Sequence, residues 1–259
     1  MARQPDGPPP PPVVQRLAIR YAKRGRLRFT SHRDFARAFE RALRRGGVPM
    51  AYSAGFSPHP KISWVGAAPT GVASEAEYVE IGLAEAREPD AVRRDLDEAL
   101  PPGLDVVTVV EMASKGLADR VEASQWRIEL PGVDPVEASE AVERFLALEE
   151  APVERLMKDG RRTIDARAAV LGMRVRGESG TDARCAIIDM VVRHTTPAVR
   201  PDDVLTALRQ AALSTPITPV VTRLAQGLLG ETPPAPGELP LLTDPLVPDV
   251  AATTGLPPA

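Results

Sequence analysis

Hydrophobic and polar positions alternate where the ordered sequence begins. Leu17, Ile19 and Tyr21 fall on one side of an extended chain, and Arg16, Ala18 and Arg20 on the other. Arg24–Gly25 reads as a turn, after which Leu27 and Phe29 continue the apolar side and Arg26 and Arg28 the polar one. The pattern predicts a strand or hairpin that buries one face and lines the other with arginine. A helix follows. Ser31 is its N-cap with Asp34 three residues on, and Phe35, Phe39 and Leu43 form its apolar stripe. Arg33, Arg37, Arg41, Arg44 and Arg45 take the remaining surface, and Gly46–Gly47 ends the helix.

Short strands are predicted around Lys61–Val65 and Glu77–Leu83, then a helix from Pro89, then a buried strand at Val106–Val110. The order is β-α-β-β-α-β. The second half repeats it, with strands at Trp126–Leu130, Val153–Met157, Ala183–Arg193 and Ile217–Leu224 and helices from Pro135 and Pro201. Residues 159–176 read either way, including as a strand, a helical turn and a further strand. The predicted fold class is α+β, as two tandem ferredoxin-like (βαββαβ) units. Proline-rich, aperiodic tails at 1–13 and 231–259 are expected to be disordered. The expected domains are 14–115, basic and motif-bearing, and 120–230.

Charge sharpens this outline. The net charge is −3, yet the stretch from Gln15 to Arg45 holds eleven Arg and Lys against Asp34 and Glu40. That segment is a candidate polyanion site. Arg16, Arg20, Arg26 and Arg28 are expected to share one sheet face. Ser31, His32 and Arg33 are expected to form an anion pocket at the helix start. Cysteine narrows the chemistry. Cys185 is alone, so there is no internal disulfide, and one Cys with His32, His59 and His194 supplies neither an iron–sulfur nor a zinc ligand set. No cofactor and no metal are therefore expected. No apolar run is long enough for a membrane span, and no signal peptide pattern is visible, so a cytoplasmic location is expected.

The stretch Met50–Lys61 is neither helical nor a clean strand. Pro58 and Pro60 bracket His59 and hold its backbone extended, and Tyr52, Ser53, Ser57 and Lys61 add a ring, hydroxyls and a fixed charge. An imidazole titrates near neutral pH, which suits proton transfer. Tyr52, Trp64 and Tyr78 are the nearby stacking candidates, with Trp64 assigned to the core. In the second half, Asp165 and Arg167 are expected to form an ion pair.

Ser31-His32-Arg33-Asp34, Arg44-Arg45, Pro49, Tyr52 to Ser63, Gly71 and Glu77-Tyr78 together resemble the radical SAM-associated (radical-SAM-linked) bacterial protein family. That family is a domain of unknown function, found alone or fused to cobalamin-binding radical SAM proteins. The likeness is dense from Arg16 to Leu83 and thinner from Trp126 to Leu224. Ser57 and Arg33 depart from the family, which often has Asn and an apolar residue there. A radical SAM enzyme holds its cluster on three closely spaced cysteines, so the resemblance implies that such chemistry belongs to a separate chain.

The expected function is an RNA-binding accessory protein in tRNA or rRNA modification or processing, beside a radical SAM enzyme or ribonuclease. Its nucleic-acid contacts would be Arg16, Arg20, Arg26, Arg28, Ser31, His32, Arg33, Arg45, Ser53, His59 and Lys61. One alternative is a metal-independent endoribonuclease with His59, His32, Tyr52 and Lys61 as catalytic candidates. Another is a protein–protein adaptor. On its own the chain reads as no enzyme.

Overall fold

The computed structural model describes residues 10–113, 116–157, 160–176, 185–213, 218–232, 234–235 and 237–254. Residues 1–9, most of the first expected tail, lie outside that set. The fold is mixed α/β, with helices and antiparallel strand pairs, and divides into two compact units. One comprises Met1–Arg120 with Pro245–Ala259, the other Val121–Asp244.

The first unit begins with β1 (Gln15–Lys23), α1 (His32–Arg45), β2 (Ile62–Val65), β3 (Ala73–Leu83), α2 (Pro89–Ala99) and β4 (Leu104–Glu111). β1 pairs with β3 on one edge and β4 on the other, and β2 pairs with β3, all antiparallel. The order is therefore β4-β1-β3-β2. α1 starts where Ser31 Oγ accepts from the Asp34 amide, and stops at Gly46, with Gly47 at φ 61°. Its apolar stripe, Phe35, Phe39 and Leu43, meets Leu17, Ile19, Tyr21, Val79 and Ile81 from the strands and Val92 and Leu96 from α2. Tyr21 stacks on Phe35 with ring centroids 4.6 Å apart. Each such buried ring contributes about 2–3 kcal/mol by removal from water.

The apolar alternation of β1 does not run on past the turn. Gly25–Phe29 is a 3-10 helix, in which Phe29 is exposed and Leu27 alone packs against the core. The glycine at 25 sits at φ 55° and breaks the extended chain, so the two-residue period ends at Lys23.

The second unit contains β5 (Ala123–Pro131), α3 (Pro135–Leu146), β6 (Pro152–Met157), β7 (Gly160–Asp165), α4 (Ala166–Ala169), β8 (Val170–Arg176), β9 (Cys185–Arg193), α5 (Pro201–Gln210) and β10 (Val220–Leu229). β5 lies between β10 and β9, and β8 pairs with the outer edge of β9. The order is β10-β5-β9-β8. Val153–Met157 is not the second strand of this sheet. It forms a separate hairpin with β7, and β8 takes the sheet position. The reason is local: Asp165 caps the turn that reverses the chain into β8, accepting from the amides of Arg167 and Ala151, both at 2.9 Å. Arg167 therefore does not pair with that carboxylate. Its guanidinium donates to the carbonyls of Leu146 and Val170.

At the start of β5, Ser124 Oγ and His194 Nε2 lie 2.7 Å apart, and His194 Nδ1 lies 3.1 Å from the Val121 carbonyl. The carbonyl fixes the proton on Nδ1, which leaves Nε2 to accept from the serine. Partial burial of the ring, and then the charge of Arg223, pull His194 below its ordinary value. The unfolded chain then takes up the proton at higher pH than the folded one. Stability is therefore full above about pH 6.5 and falls as pH drops through the window below it. Denaturant midpoints should decline from pH 7 towards 5, and His194→Gln should flatten that part of the decline.

The stretch 231–259 is not wholly a tail. It holds β11 (Leu242–Thr243), paired with β10, and α6 (Val247–Thr254). A Cβ at Gly227 would lie 1.9 Å from the Thr243 carbonyl oxygen, so that glycine admits the close approach. Asp249, 1% exposed, accepts from Arg120 at 2.6 Å and from the Ala113 amide at 3.0 Å, while Leu246 is buried beside it. Proline content and low charge hid this segment, because its anchor is one carboxylate rather than an apolar period. Asp249→Asn should leave Arg120 buried without its counter-charge, cost about 3–5 kcal/mol, and lower the denaturation midpoint accordingly. No helix among the described residues is long and apolar enough to cross a membrane.

Candidate nucleic-acid interface

The arginines of the opening segment are largely committed to partners within the unit. Arg16 Nη1 meets Glu80 Oε1 at 2.6 Å. Arg20 Nε donates to the Glu75 carbonyl at 3.0 Å. Arg24 is bonded to Glu75 and also to Asp105 at 2.7 Å, and the Glu75 hydrogen bond raises its proton affinity further. Lys23 is buried and donates to the Pro69 carbonyl at 3.3 Å. Arg26 and Arg28 leave the sheet with the 3-10 helix, where Arg28 lies over the Phe29 ring at 4.8 Å. The expected arginine-lined sheet face of Arg16, Arg20, Arg26 and Arg28 is therefore not formed. β1 is paired on both edges, and β3 brings Glu80 to Arg16 on the diagonal, two residues from its register partner Gly82.

The helix start is also self-satisfied. Ser31 Oγ donates to Asp34 Oδ2 at 2.7 Å, which sets a carboxylate where the anion pocket of Ser31, His32 and Arg33 was expected. His32 is exposed and stands edge-on to Trp64, centroids 5.3 Å apart. Trp64 is half-buried against Phe35 and Phe39, and Tyr78 is fully buried, so neither offers a free stacking face. Arg45 is held by the Ala99 carbonyl at the end of α2.

The outer face of α1 is different. Arg33, Arg37, Arg41 and Arg44 are exposed and make no ion pair among the described residues. Their spacing of four, four and three keeps them within one narrow wedge of the helix, opposite the Phe35–Phe39–Leu43 stripe. Arg44 lines a small pocket with Glu40, Leu43, Val48, Met50, Tyr52 and Pro60. The basic stripe thus runs directly into the Pro-bracketed loop.

That loop is a small clamp. Tyr52 bridges Pro60, the Ser53 amide donates to the His59 carbonyl at 2.8 Å, and the His59 amide donates to Ser53 Oγ at 3.0 Å. Lys61 continues the ladder, donating to the Ala51 carbonyl and accepting from the Gly82 amide. At its tip Gly55, at φ 133°, turns the chain so that Phe56 is 68% exposed. His59 and Lys61 are exposed beside it, and Tyr52 is partly so. Ser53 is spent on holding the clamp rather than on a ligand.

The candidate catalytic set is divided. Tyr52, His59 and Lys61 share the clamp, but His32 is anchored on Trp64. Among the described residues no hydrogen bond or ring contact joins His32 to Tyr52, His59 or Lys61. Phe56, Arg37, Arg41 and Arg44 are the surface groups not assigned from sequence. Helical spacing marks the arginines, and a phenylalanine between Gly55 and Pro58 sits in turn chemistry rather than in any apolar period. Among the described residues no group of His, Cys, Asp and Glu is placed to hold a metal ion.

These features define a mixed α/β protein with an arginine-faced helix set beside a rigid aromatic turn. The chain belongs to a bacterial family described as an uncharacterized protein conserved in bacteria (DUF2344), whose model matches residues 16–201. No curated protein matches it. Among solved structures it is similar to a chain of a Cbf5-Nop10-Gar1 complex, with 12% identity and a TM-score of 0.45. That match covers 87% of this chain and 55% of the other, so this chain spans about half of it. It is also similar to an unknown protein from Galdieria sulphuraria, with 14% identity, a TM-score of 0.22, and coverage of 81% and 98%.

Removal of the Ser53 hydroxyl should release the clamp without touching the core. Ser53→Ala should cost about 1 kcal/mol locally. Amide exchange at His59 should quicken while amides of β3 keep their protection, as read by hydrogen exchange.

Proposed function

We propose that this chain is an RNA-binding accessory protein whose contact surface is the outer face of α1 together with the 52–61 clamp. The observation that carries the reading is the run of unpaired Arg33, Arg37, Arg41 and Arg44 ending against Tyr52 and Pro60. From Arg33 to Arg44 the stripe covers about 16 Å of helix, enough to follow several backbone phosphates. Phe56 supplies an exposed ring for an unpaired base, which suits single-stranded loops over duplex. His59 and Lys61 add donors at the same edge. Arg26, and Arg28 stacked on Phe29, extend the basic surface beyond the start of α1.

The family resemblance supports a place beside a separate radical SAM enzyme, and the basic surface supports tRNA or rRNA as what the two would share. With one cysteine in the sequence, a thiolate-held cluster belongs to that other chain. The element order and the strand orders β4-β1-β3-β2 and β10-β5-β9-β8 support reading each unit as ferredoxin-like, the second with an inserted hairpin.

Fluorescence anisotropy with a labelled tRNA pool tests the reading. Wild-type protein should bind at low salt and weaken steeply as salt rises. The Arg37→Gln/Arg41→Gln variant should lower the slope of log K against log salt by about 0.7 for each single-stranded phosphate it no longer neutralises. Phe56→Ala should weaken binding at every salt concentration with the slope unchanged. Absence of binding by wild type at low salt, or an arginine variant that binds as wild type does, sinks the proposal.

A further inference from the structure

A second basic cluster lies in the other unit, around one carboxylate. Asp189 sits in mid-β9 and is almost fully buried. Arg127 of β5 and Arg174 of β8 are its register partners on either side. Arg127 Nε donates to Asp189 Oδ1 at 3.0 Å, Arg176 Nη2 reaches Oδ2 at 2.5 Å, and Arg174 Nη2 stands 3.7 Å from Oδ2. Thr222 of β10 extends the same row beyond Arg127.

A buried carboxylate requires a counter-charge, and Arg127 supplies it. Two more guanidinium groups exceed that need. Three cations about one anion leave a surplus of two, and Glu129, one row along β5, makes no ion pair with them among the described residues. The surplus is accessible, because the side chains of Arg174 and Arg176 are 48% and 44% exposed. Each guanidinium carries five donors in a fixed fork, and Asp189 uses few of them. Asp189 therefore acts as a peg. It draws three guanidinium groups together and leaves most of their donors unused. A tetrahedral oxyanion of charge near −2 has the oxygens and charge to meet them.

We infer that Arg127, Arg174 and Arg176, organised by Asp189, form a binding site for a phosphate group on the sheet of the second unit. The site is separate from the α1 surface and does not rest on the RNA reading. Its ligand is a phosphate, either free on a small compound or within a nucleic-acid backbone.

The full-length chain is titrated calorimetrically with inorganic phosphate, chloride being exchanged to hold ionic strength constant. Wild type should show saturable binding. Arg174→Gln/Arg176→Gln should abolish it, while Arg37→Gln/Arg41→Gln on α1 should keep it. Arg174→Gln alone removes the guanidinium furthest from Asp189 and so spares the fold. It should weaken phosphate by about tenfold, the size of one charged hydrogen bond. A parallel titration uses single-stranded RNA. If RNA affinity drops with the phosphate affinity in the Arg174/Arg176 variants, the source is a nucleic-acid backbone. If RNA affinity holds while phosphate binding disappears, the source is a small phosphate compound. No saturable phosphate binding by wild type, or variants that bind phosphate as wild type does, overturns the inference.

Discussion

A strand paired on both edges and buried along most of its length cannot display cations freely. β1 is that strand in the first unit. Leu17, Ala18, Ile19 and Ala22 are wholly buried, and both edges are taken by β3 and β4. Desolvating a guanidinium or ammonium group costs several kcal/mol unless a partner recovers it. The neighbours supply those partners: the Pro69 carbonyl for buried Lys23, the Glu75 carbonyl for Arg20 and Glu80 for Arg16, while Arg24, just past the strand, pairs with Glu75 and Asp105 at the surface. Much of the formal charge in the opening segment is thereby consumed in holding β1 in register.

What remains for a ligand is set by the helix. An α-helix packed on a sheet buries one stripe and must leave the opposite one in water. Four of α1's arginines fall on that outer stripe, and no described carboxylate pairs with them. The clamp at 52–61 has the same logic at smaller scale. Its backbone groups are satisfied by Ser53 and by the Ala51 and Gly82 ladder, so its side chains are left unencumbered at the surface. Charge and an aromatic ring thus meet at one edge because the packing has no other use for them.

Much of this was legible in the residues. The cap at Ser31, the stripe Phe35–Phe39–Leu43 and the Pro-bracketed turn state their roles in local spacing. The arginine face of β1 failed because alternation tells which side a residue is on, not what stands on the next strand. Glu75 and Glu80 lie some sixty residues away and became partners only through strand pairing. β6 was misplaced for a related reason. A short apolar run fits a sheet strand or a hairpin equally, and the Asp165 turn decides between them. The C-terminal helix was missed because one buried aspartate holds it.

The two arginine groups are built on opposite principles, and this bears on what each can recognise. On α1 the side chains have no acid to hold them. They retain rotamer freedom, adapt to a chain of phosphates, and lose their attraction as salt screens it. Around Asp189 the forks are drawn to one point by a buried counter-charge. Part of the ordering cost is met during folding rather than on binding. A flexible stripe suits a polymer whose phosphates vary in position. A pegged cluster suits one phosphate in one place. If both engage the same RNA, the stripe contributes the reach and the Asp189 cluster the register.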